Sequence, residues 1–205
     1  MPGKICLTRE ENKKEKMKSL FVLLSFLYIS ATTPVTGQLA KAKPLPTVTD
    51  GGDKFPTPPD NISRLFFIQR TPNTNTIMYE LNDKSGHLDP ENPIHVYWIK
   101  YAEQGQREEL NYIQRKFAYG LIFKPAGVDQ YDVRFVSYKK FPLTLMKADD
   151  GKYHIFATVE QKQMMLSRIF VKIEGGSFML PNVVYIELKG TDPSTGREIT
   201  NRFKP

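Results

Sequence analysis

Three acidic residues follow an aromatic pair in the middle of this chain. Glu103, Glu108 and Glu109 come shortly after Trp98 and Tyr101. Two carboxyl groups beside aromatic rings are the components of a site that hydrolyses glycosidic bonds, in which one carboxyl donates a proton and the other acts as base or nucleophile. A structural interpretation of Glu108 and Glu109 is also open, because acids stabilise the first turn of a helix. An envelope glycan-acting enzyme is therefore one hypothesis for the function.

The region around these acids, residues 97–119, also carries the densest set of side chains suited to binding a small ligand. It contains the single tryptophan of the chain, four tyrosines and two adjacent bases. If this region closes one end of a curled sheet, its side chains line the mouth, where ligand sites are common. The alternative is that the rings belong to the core and that Arg115 pairs with an acid. The candidate ligand-binding residues are Tyr97, Trp98, Tyr101, Glu103, Arg115 and Tyr119.

Other reactive constellations are missing from the sequence. His87, His95 and His154 lack the short spacings of zinc ligands, and Cys6 is the only cysteine. No Gly-x-Ser-x-Gly elbow marks a serine nucleophile, and neither glycine pair has the spacing of a phosphate-binding loop. We therefore assign no catalytic residue, no metal and no cofactor from the sequence.

The N-terminal region has the pattern of a secretory signal peptide. Met17 and Lys18 precede an apolar run over residues 20–29, and small residues follow as far as Gly37. About ten apolar residues are too few for a membrane-spanning helix, which needs about 20. We expect residues 1–37 to be an upstream segment plus a signal peptide, with the true start at Met17 and cleavage after Gly37; cleavage after Ala31 is the alternative. The pattern predicts export to the periplasm or the cell surface, with no transmembrane anchor after cleavage.

Composition divides the remainder into a linker and one domain. Residues 38–61 are rich in proline and poor in apolar residues, which predicts an extended linker. Residues 62–205 are enough for a single domain with its own core. The whole chain has a net charge of +7, but residues 38–205 contain 23 bases and 19 acids in an interspersed order. This distribution argues against a nucleic-acid partner.

The sequence of the domain predicts β-strands separated by turns. Alternating and β-branched segments predict a mainly β fold, an antiparallel β-sandwich or small curled barrel of about eight to ten strands. One short helix is predicted over residues 107–117, where Leu110, Ile113 and Phe117 have helical spacing and acids precede bases. The predicted strands are residues 65–68, 76–81, 94–101, 119–123, 131–138, 143–146, 153–159, 164–173, 183–188 and 198–200.

Four segments of the domain resemble a known family. They are residues 64–70 (RLFFIQR), 75–82 (NTIMYELN), 93–103 (PIHVYWIKYAE) and 114–120 (QRKFAYG). In these segments the chain resembles DUF4833, a domain of unknown function found in exported bacterial proteins, and the likeness extends over about residues 62–203. The resemblance implies a single-domain exported protein, and it implies no activity, cofactor or site residue.

Together these observations predict an exported bacterial β-domain with a non-enzymatic ligand-binding or structural role in the cell envelope. Its partner would be a small molecule, a glycan or another envelope protein. The first alternative is the glycan-acting enzyme that uses Glu103, Glu108 or Glu109. The second is a subunit of an envelope protein complex, which predicts a contiguous exposed apolar patch.

Overall fold

The computed structural model of the protein describes residues 55–84, 87–176 and 181–205. The predicted signal peptide and most of the predicted linker lie outside these residues. Within them, the chain forms thirteen strands and one helical segment. The strands are β1 (Arg64–Arg70), β2 (Thr76–Leu81), β3 (Asp83–Lys84), β4 (His87–Leu88), β5 (Ile94–Lys100), β6 (Gln106–Glu109), β7 (Leu121–Gly127), β8 (Gln130–Phe135), β9 (Pro142–Lys147), β10 (Tyr153–Val159), β11 (Lys162–Gly176), β12 (Pro181–Thr191) and β13 (Glu198–Phe203). The helical segment comprises α1 (Tyr112–Gln114) and a π-helical turn (Arg115–Tyr119).

Eleven of the strands form one mixed sheet that curls into a half-barrel. Its strand order is β6-β5-β2-β1-β11-β10-β9-β8-β7, and β12 pairs with β11 and β13. The long strand β11 joins the parts of the sheet, because it pairs with β10 near its start, with β1 further along and with β12 over most of its length. All pairs in the sheet are antiparallel except β1 with β11.

The curl brings opposite parts of the sheet face to face. Phe135 on β8 makes edge contacts with Phe66 on β1 and Tyr79 on β2, at ring-centroid distances of 6.2 and 6.0 Å. Three strands separate β1 from β8 in the sheet, so these contacts define a concave face that contains the main core. On the convex face, a smaller cluster of Phe67 and Met78 packs with neighbouring aromatic and aliphatic side chains of β5.

The mainly β prediction and the curled sheet are confirmed. The predicted helix over residues 107–117 is confirmed only in its second half, because Gln106–Glu109 form β6. A tight turn after β5 causes this difference: the carbonyl of Lys100 accepts hydrogen bonds from three following backbone N–H groups, and Gly105 has a φ of +78°. The chain therefore returns as a hairpin, and backbone pairing with β5 overrides the helical spacing.

The helical segment connects the two edge strands β6 and β7. It begins at Asn111, whose side chain accepts a hydrogen bond from the backbone N–H of Gln114, while the Gln114 side chain accepts one from the Asn111 N–H. This reciprocal capping box fixes the first turn. At the other end, the hydroxyl of Tyr79 donates a hydrogen bond to the carbonyl of Tyr119 at 3.0 Å. The last turn is thereby held against the concave core.

The final residues of the predicted linker lie against the convex face. Phe55 is buried and packs edge-on against Phe170 at 5.1 Å. The side-chain amide of Gln69 donates a hydrogen bond to the carbonyl of Pro56 at 2.7 Å. Arg64 donates to the carbonyls of Pro58 and Pro59. Residues 55–59 thus form a strap across the outer surface of β1.

Candidate functional site

The sheet separates the six predicted ligand-binding residues into different environments. Successive side chains of a strand point to opposite faces, so Tyr97 lies on the convex face and Trp98 on the concave face. Tyr101 packs with the convex cluster, whereas Tyr119 packs edge-on against Trp98 at 5.0 Å. Glu103 lies in the turn after β5, and Arg115 is an exposed residue of the helical segment. The structure therefore brings together Trp98 and Tyr119, but not all six residues.

The three candidate acids of the glycan hypothesis do not share one cleft. Glu108 is opposite Trp98 and Glu109 is opposite Tyr97, so their side chains point to different faces of the sheet. Glu103 and Glu108 both face the ammonium of Lys100, at 3.6 and 3.5 Å. In this arrangement Glu103 and Glu108 share one base, instead of standing on opposite sides of a substrate with one carboxyl free to donate a proton.

Glu109 belongs instead to a polar network on the convex face. Its carboxylate is 2.8 Å from Nε2 of His95, and Arg107 donates a hydrogen bond to Nδ1 of the same ring at 2.9 Å. An arginine only donates, so Nδ1 accepts and Nε2 carries the proton that faces Glu109. Both ring nitrogens therefore have protein partners, and the network accounts for the position of His95.

A buried acid anchors the other end of this network. Glu80 accepts hydrogen bonds from the hydroxyl of Tyr97 at 2.5 Å and from the side-chain amide of Asn61 at 2.8 Å. The guanidinium of Arg107 stacks on the Tyr97 ring, 3.6 Å from its centroid. Burial and the bond to Glu80 both raise the pKa of the Tyr97 hydroxyl. These contacts fasten β2, β5 and β6 together and account for Tyr97 without a ligand.

The concave face holds a different group of polar atoms around Arg70. The alternation along β1 places Arg70 on the same face as Phe66 and Ile68, and its side chain is buried. The pKa of the Tyr119 hydroxyl is raised to about 12 because burial raises it by more than the neighbouring Arg70 guanidinium lowers it. In residues 55–84, 87–176 and 181–205, no carboxylate forms an ion pair with Arg70.

Two further donors in this group lack an acceptor. The indole N–H of Trp98 is buried with no hydrogen-bond partner among the described protein atoms. The Tyr119 hydroxyl is also buried, and the guanidinium beside it can donate but not accept. Because buried polar groups are normally hydrogen-bonded, this donor cluster of Arg70, Trp98 and Tyr119 is unusual within the described fold.

An apolar pocket lies next to the donor cluster on the concave face. Val171 is directly opposite Arg70 in the β1–β11 pairing, and Val171 is one of the residues that line the pocket. The free space is about 60 Å³, and every lining residue is apolar or aromatic. The lining residues are Ile68, Phe135, Tyr138, Phe141, Ile169, Val171, Ile186, Leu188 and Phe203.

Comparison with known proteins places the chain in a family. The family model "Domain of unknown function (DUF4833)" matches residues 66–202, about two thirds of the chain and nearly all of the described fold. The chain belongs to the DUF4833 family. Searches of curated proteins and of solved structures found no match to this chain. The matched range includes the donor cluster and almost the whole lining of the apolar pocket.

A second, more polar cleft occurs on the convex face of this DUF4833 domain. It has a volume of about 290 Å³ and lies between the strap and strands β11 to β13. Arg168 and Lys189 are directly opposite each other in its wall, and Glu198 lies at its rim. The cleft exposes both charge signs to solvent, so its lining defines no single class of ligand.

Exposed apolar side chains of the DUF4833 domain are concentrated in the helical segment and in the β7 hairpin that follows it. Five of the six large hydrophobic side chains that are exposed in the described residues lie between positions 112 and 128. Residues 110–128 contain three bases and no acid. We call this region the basic–aromatic surface; its members are Tyr112, Ile113, Arg115, Lys116, Phe117, Ile122, Lys124 and Val128.

No group of three or more potential metal ligands converges among the described residues. In that part of the chain no helix combines the length and the apolar character needed to cross a bilayer.

Sequence reasoning identified two members of the donor cluster and missed the third. Trp98 and Tyr119 were selected as aromatic binding residues, but Arg70 ends a strand and looks like an ordinary surface base. The sequence does indicate which face Arg70 occupies, because it comes two residues after Ile68 and four after Phe66, and alternate residues of a strand share a face. An arginine in phase with buried apolar residues was the missed indication.

Proposed function

We propose that this protein is an exported bacterial protein of the cell envelope that binds a ligand without catalysis, and that the ligand places an apolar group in the concave pocket. The observation that carries the proposal is the fully apolar lining of a pocket that opens within a half-barrel. Ligand sites are typically concave and mostly apolar, with a few polar groups that fix orientation.

The size of the pocket limits what it can hold without rearrangement. A water molecule occupies about 30 Å³ in the liquid, so a space of about 60 Å³ admits only a few carbon atoms. Half-buried rings such as Phe141 and Phe203 line its opening, with centroids 6.4 Å apart. A longer alkyl chain would enter by displacing these rings, and the rest of the ligand would remain outside the pocket.

Export is supported by the sequence features around Met17 to Gly37. The basic start, the short apolar run and the small-residue exit are the parts of a signal peptide. Cleavage after Gly37 would leave a chain without cysteine, and the described core needs none because burial within the half-barrel supplies its stability. N-terminal sequencing of the protein recovered from fractionated cells tests this part: Gln38 as the first residue supports export, and an intact Met1 in cytosol contradicts it.

Ligand binding is tested by filling the pocket. We expect isothermal titration calorimetry to detect saturable binding of 1-dodecanol to the wild-type domain. The variant Ile186→Phe puts a larger side chain into the free space and should weaken this binding at least tenfold. Ile199→Phe adds the same ring on β13 outside the pocket and serves as the matched control. The proposal is contradicted if no alkyl compound binds saturably, or if both variants behave like the wild type.

A second candidate function, that of a subunit in an envelope protein complex, is favoured by the basic–aromatic surface. Tyr112 and Phe117 are 70% and 44% exposed, and Lys116 lies over both rings. Exposed aromatic side chains among bases suit a partner protein with an apolar, acid-rimmed surface.

This second function is tested by the size of the native particle. Gel filtration of the gently solubilised envelope fraction should show the wild-type protein in a particle larger than a single mature chain. Phe117→Glu should release the monomer, whereas Ile62→Glu, at a more exposed apolar residue elsewhere, should not. A monomeric wild-type protein would contradict the complex.

A further inference from the structure

Arg70 is the least expected residue of the concave face. It is only 7% exposed, whereas most buried arginines in proteins face an acid. Arg64, on the same strand, shows the usual arrangement, because it contacts Asp60 at 2.6 Å and two backbone carbonyls. For Arg70, the Tyr119 hydroxyl is the one partner among the described residues.

A buried guanidinium without an acid is energetically unfavourable. Transfer of a charge from water into a protein interior costs several kcal/mol unless an opposite charge and hydrogen bonds offset it. The Tyr119 hydroxyl provides only a neutral oxygen, and no carboxylate of the described residues pairs with the positive charge. A site that retains such a charge is suited to a ligand that brings the negative charge with it.

The neighbouring donors point to the same kind of ligand. Tyr119 and Trp98 each contribute a buried hydrogen-bond donor that lacks an acceptor. Their rings are in contact, with centroids 5.0 Å apart, and Arg70 lies beside the Tyr119 hydroxyl. Carboxylate and phosphate oxygens are strong acceptors, and an arginine fork binds either of them with two parallel hydrogen bonds.

The donor cluster is continuous with the apolar pocket. Strand pairing places Arg70 opposite Val171, Val171 opposite Ile186 and Ile186 opposite Phe203, so these side chains form one row across the concave face. The row changes from a cation to apolar residues within the width of one strand, about 4.8 Å. A molecule with a charged end and an apolar end matches this row.

We infer that Arg70, together with Tyr119 and Trp98, binds the anionic oxygen head group of an amphiphilic ligand whose apolar group occupies the concave pocket. This inference rests on the proposed ligand-binding function and adds the class of ligand. Lys100 lies on the same face, but Glu103 and Glu108 already flank its ammonium. Arg70 is therefore the cation that a ligand head group would neutralise.

The experiment compares probes that share a tail and differ in the head group. Dodecanoate, dodecyl phosphate and 1-dodecanol are titrated into the full-length mature protein by isothermal calorimetry. At least one anionic probe should bind at least tenfold more tightly than 1-dodecanol, and the tighter of the two identifies a carboxylate or a phosphate as the natural head group. Arg70→Met should remove this preference, with a loss of about 10- to 100-fold for the anion and little change for the alcohol.

Two further variants keep the test decisive. Tyr119→Phe removes one hydroxyl and should weaken anion binding by about fivefold, the effect of one hydrogen bond, even if Arg70→Met folds poorly. Arg197→Met removes an exposed base in the turn between β12 and β13, away from the donor cluster, and serves as the control that leaves binding unchanged.

The outcomes separate this inference from the function on which it rests. If all three probes bind equally and Arg70→Met has no effect, the head-group site is wrong while the apolar pocket stands. If none of the probes binds, the ligand-binding function itself is wrong.

Discussion

Because no carboxylate of the described residues pairs with Arg70, we expect that removal of its positive charge stabilises the ligand-free protein. Arg70→Met keeps an unbranched side chain of similar length on the concave face and removes the buried charge. Replacement of buried charged groups by packed apolar residues is neutral or stabilising by about 1–4 kcal/mol. Loss of the guanidinium beside the Tyr119 hydroxyl opposes this gain by about 1 kcal/mol. We expect the free energy of unfolding to increase by up to about 3 kcal/mol.

The assay is equilibrium urea unfolding of protein that has been refolded from denaturant to remove any ligand. Trp98 is the only tryptophan and is buried, so its fluorescence reports the transition. With a slope of about 2 kcal/mol/M for a domain of this size, the midpoint should rise by up to roughly 1.5 M while the slope stays constant.

Arg64→Met provides the matched control on the same strand. Arg64 is paired with Asp60 and with two backbone carbonyls that hold the strap, so the same substitution should destabilise the protein by about 1–2 kcal/mol. The reasoning is refuted if Arg70→Met lowers stability by more than about 1 kcal/mol, because Arg70 would then make a structural interaction instead of awaiting a ligand.

Two other predictions concern backbone contact and ionisation. Gly120→Ala should destabilise the fold by about 3 kcal/mol or more in urea unfolding, because the new Cβ would lie 1.9 Å from the Arg115 carbonyl oxygen. Gly151→Ala has open space around the new Cβ and should cost only the strain of its positive φ, about 1 kcal/mol. Similar losses of stability at both sites would refute the contact at Gly120. The hydrogen bond from Lys147 lowers the pKa of Asp129, so this interaction stabilises the fold above the ordinary aspartate range and is lost as the pH falls through the lowered value. Carboxyl NMR titration should therefore show the Asp129 pKa rising in Lys147→Met, and an unchanged pKa would count against the pairing.

Most individual strands of this fold could be predicted from the sequence, because the pattern of a single strand depends on neighbouring residues. The alternation of Ile77, Tyr79 and Leu81 correctly predicted β2, and the β-branched and aromatic run over residues 94–101 correctly predicted the strand β5. The strand β6 was missed because its residues, Gln106–Glu109, are all exposed and carry no apolar alternation. Backbone pairing with β5 and polar contacts of Arg107, Glu108 and Glu109 hold this strand, and none of these leaves an apolar pattern in the sequence.

The shape of the sheet was beyond local reasoning. The half-barrel depends on a parallel pairing between β1 and β11, whose partners Phe67 and Arg168 are about 100 residues apart in the chain. No pattern within either strand specifies the other as its neighbour. The mixed sheet therefore appeared only in the structure, although a curled, mainly antiparallel arrangement was expected.

The candidate site shows the same division between local and long-range information. Tyr97 and Trp98 are neighbours on one strand, so their side chains point to opposite faces of the sheet. The prediction that both line the mouth of the curled sheet overlooked this alternation. The contact of Trp98 with Tyr119 places β5 against the last turn of the helical segment. This contact depends on the path of the helical segment between the edge strands β6 and β7. Arg70 joins them through the curl of the sheet.

The central claim, an amphiphile held with its head group at Arg70 and its tail in the concave pocket, has a direct optical test. Trp98 lies within the donor cluster, so its emission should change when a head group accepts a hydrogen bond from its indole N–H. Titration of the wild-type protein with dodecanoate or dodecyl phosphate should give a saturable change in Trp98 fluorescence that is absent in Arg70→Met. A wild-type emission spectrum that stays constant at saturating concentrations of both anionic probes would contradict the account.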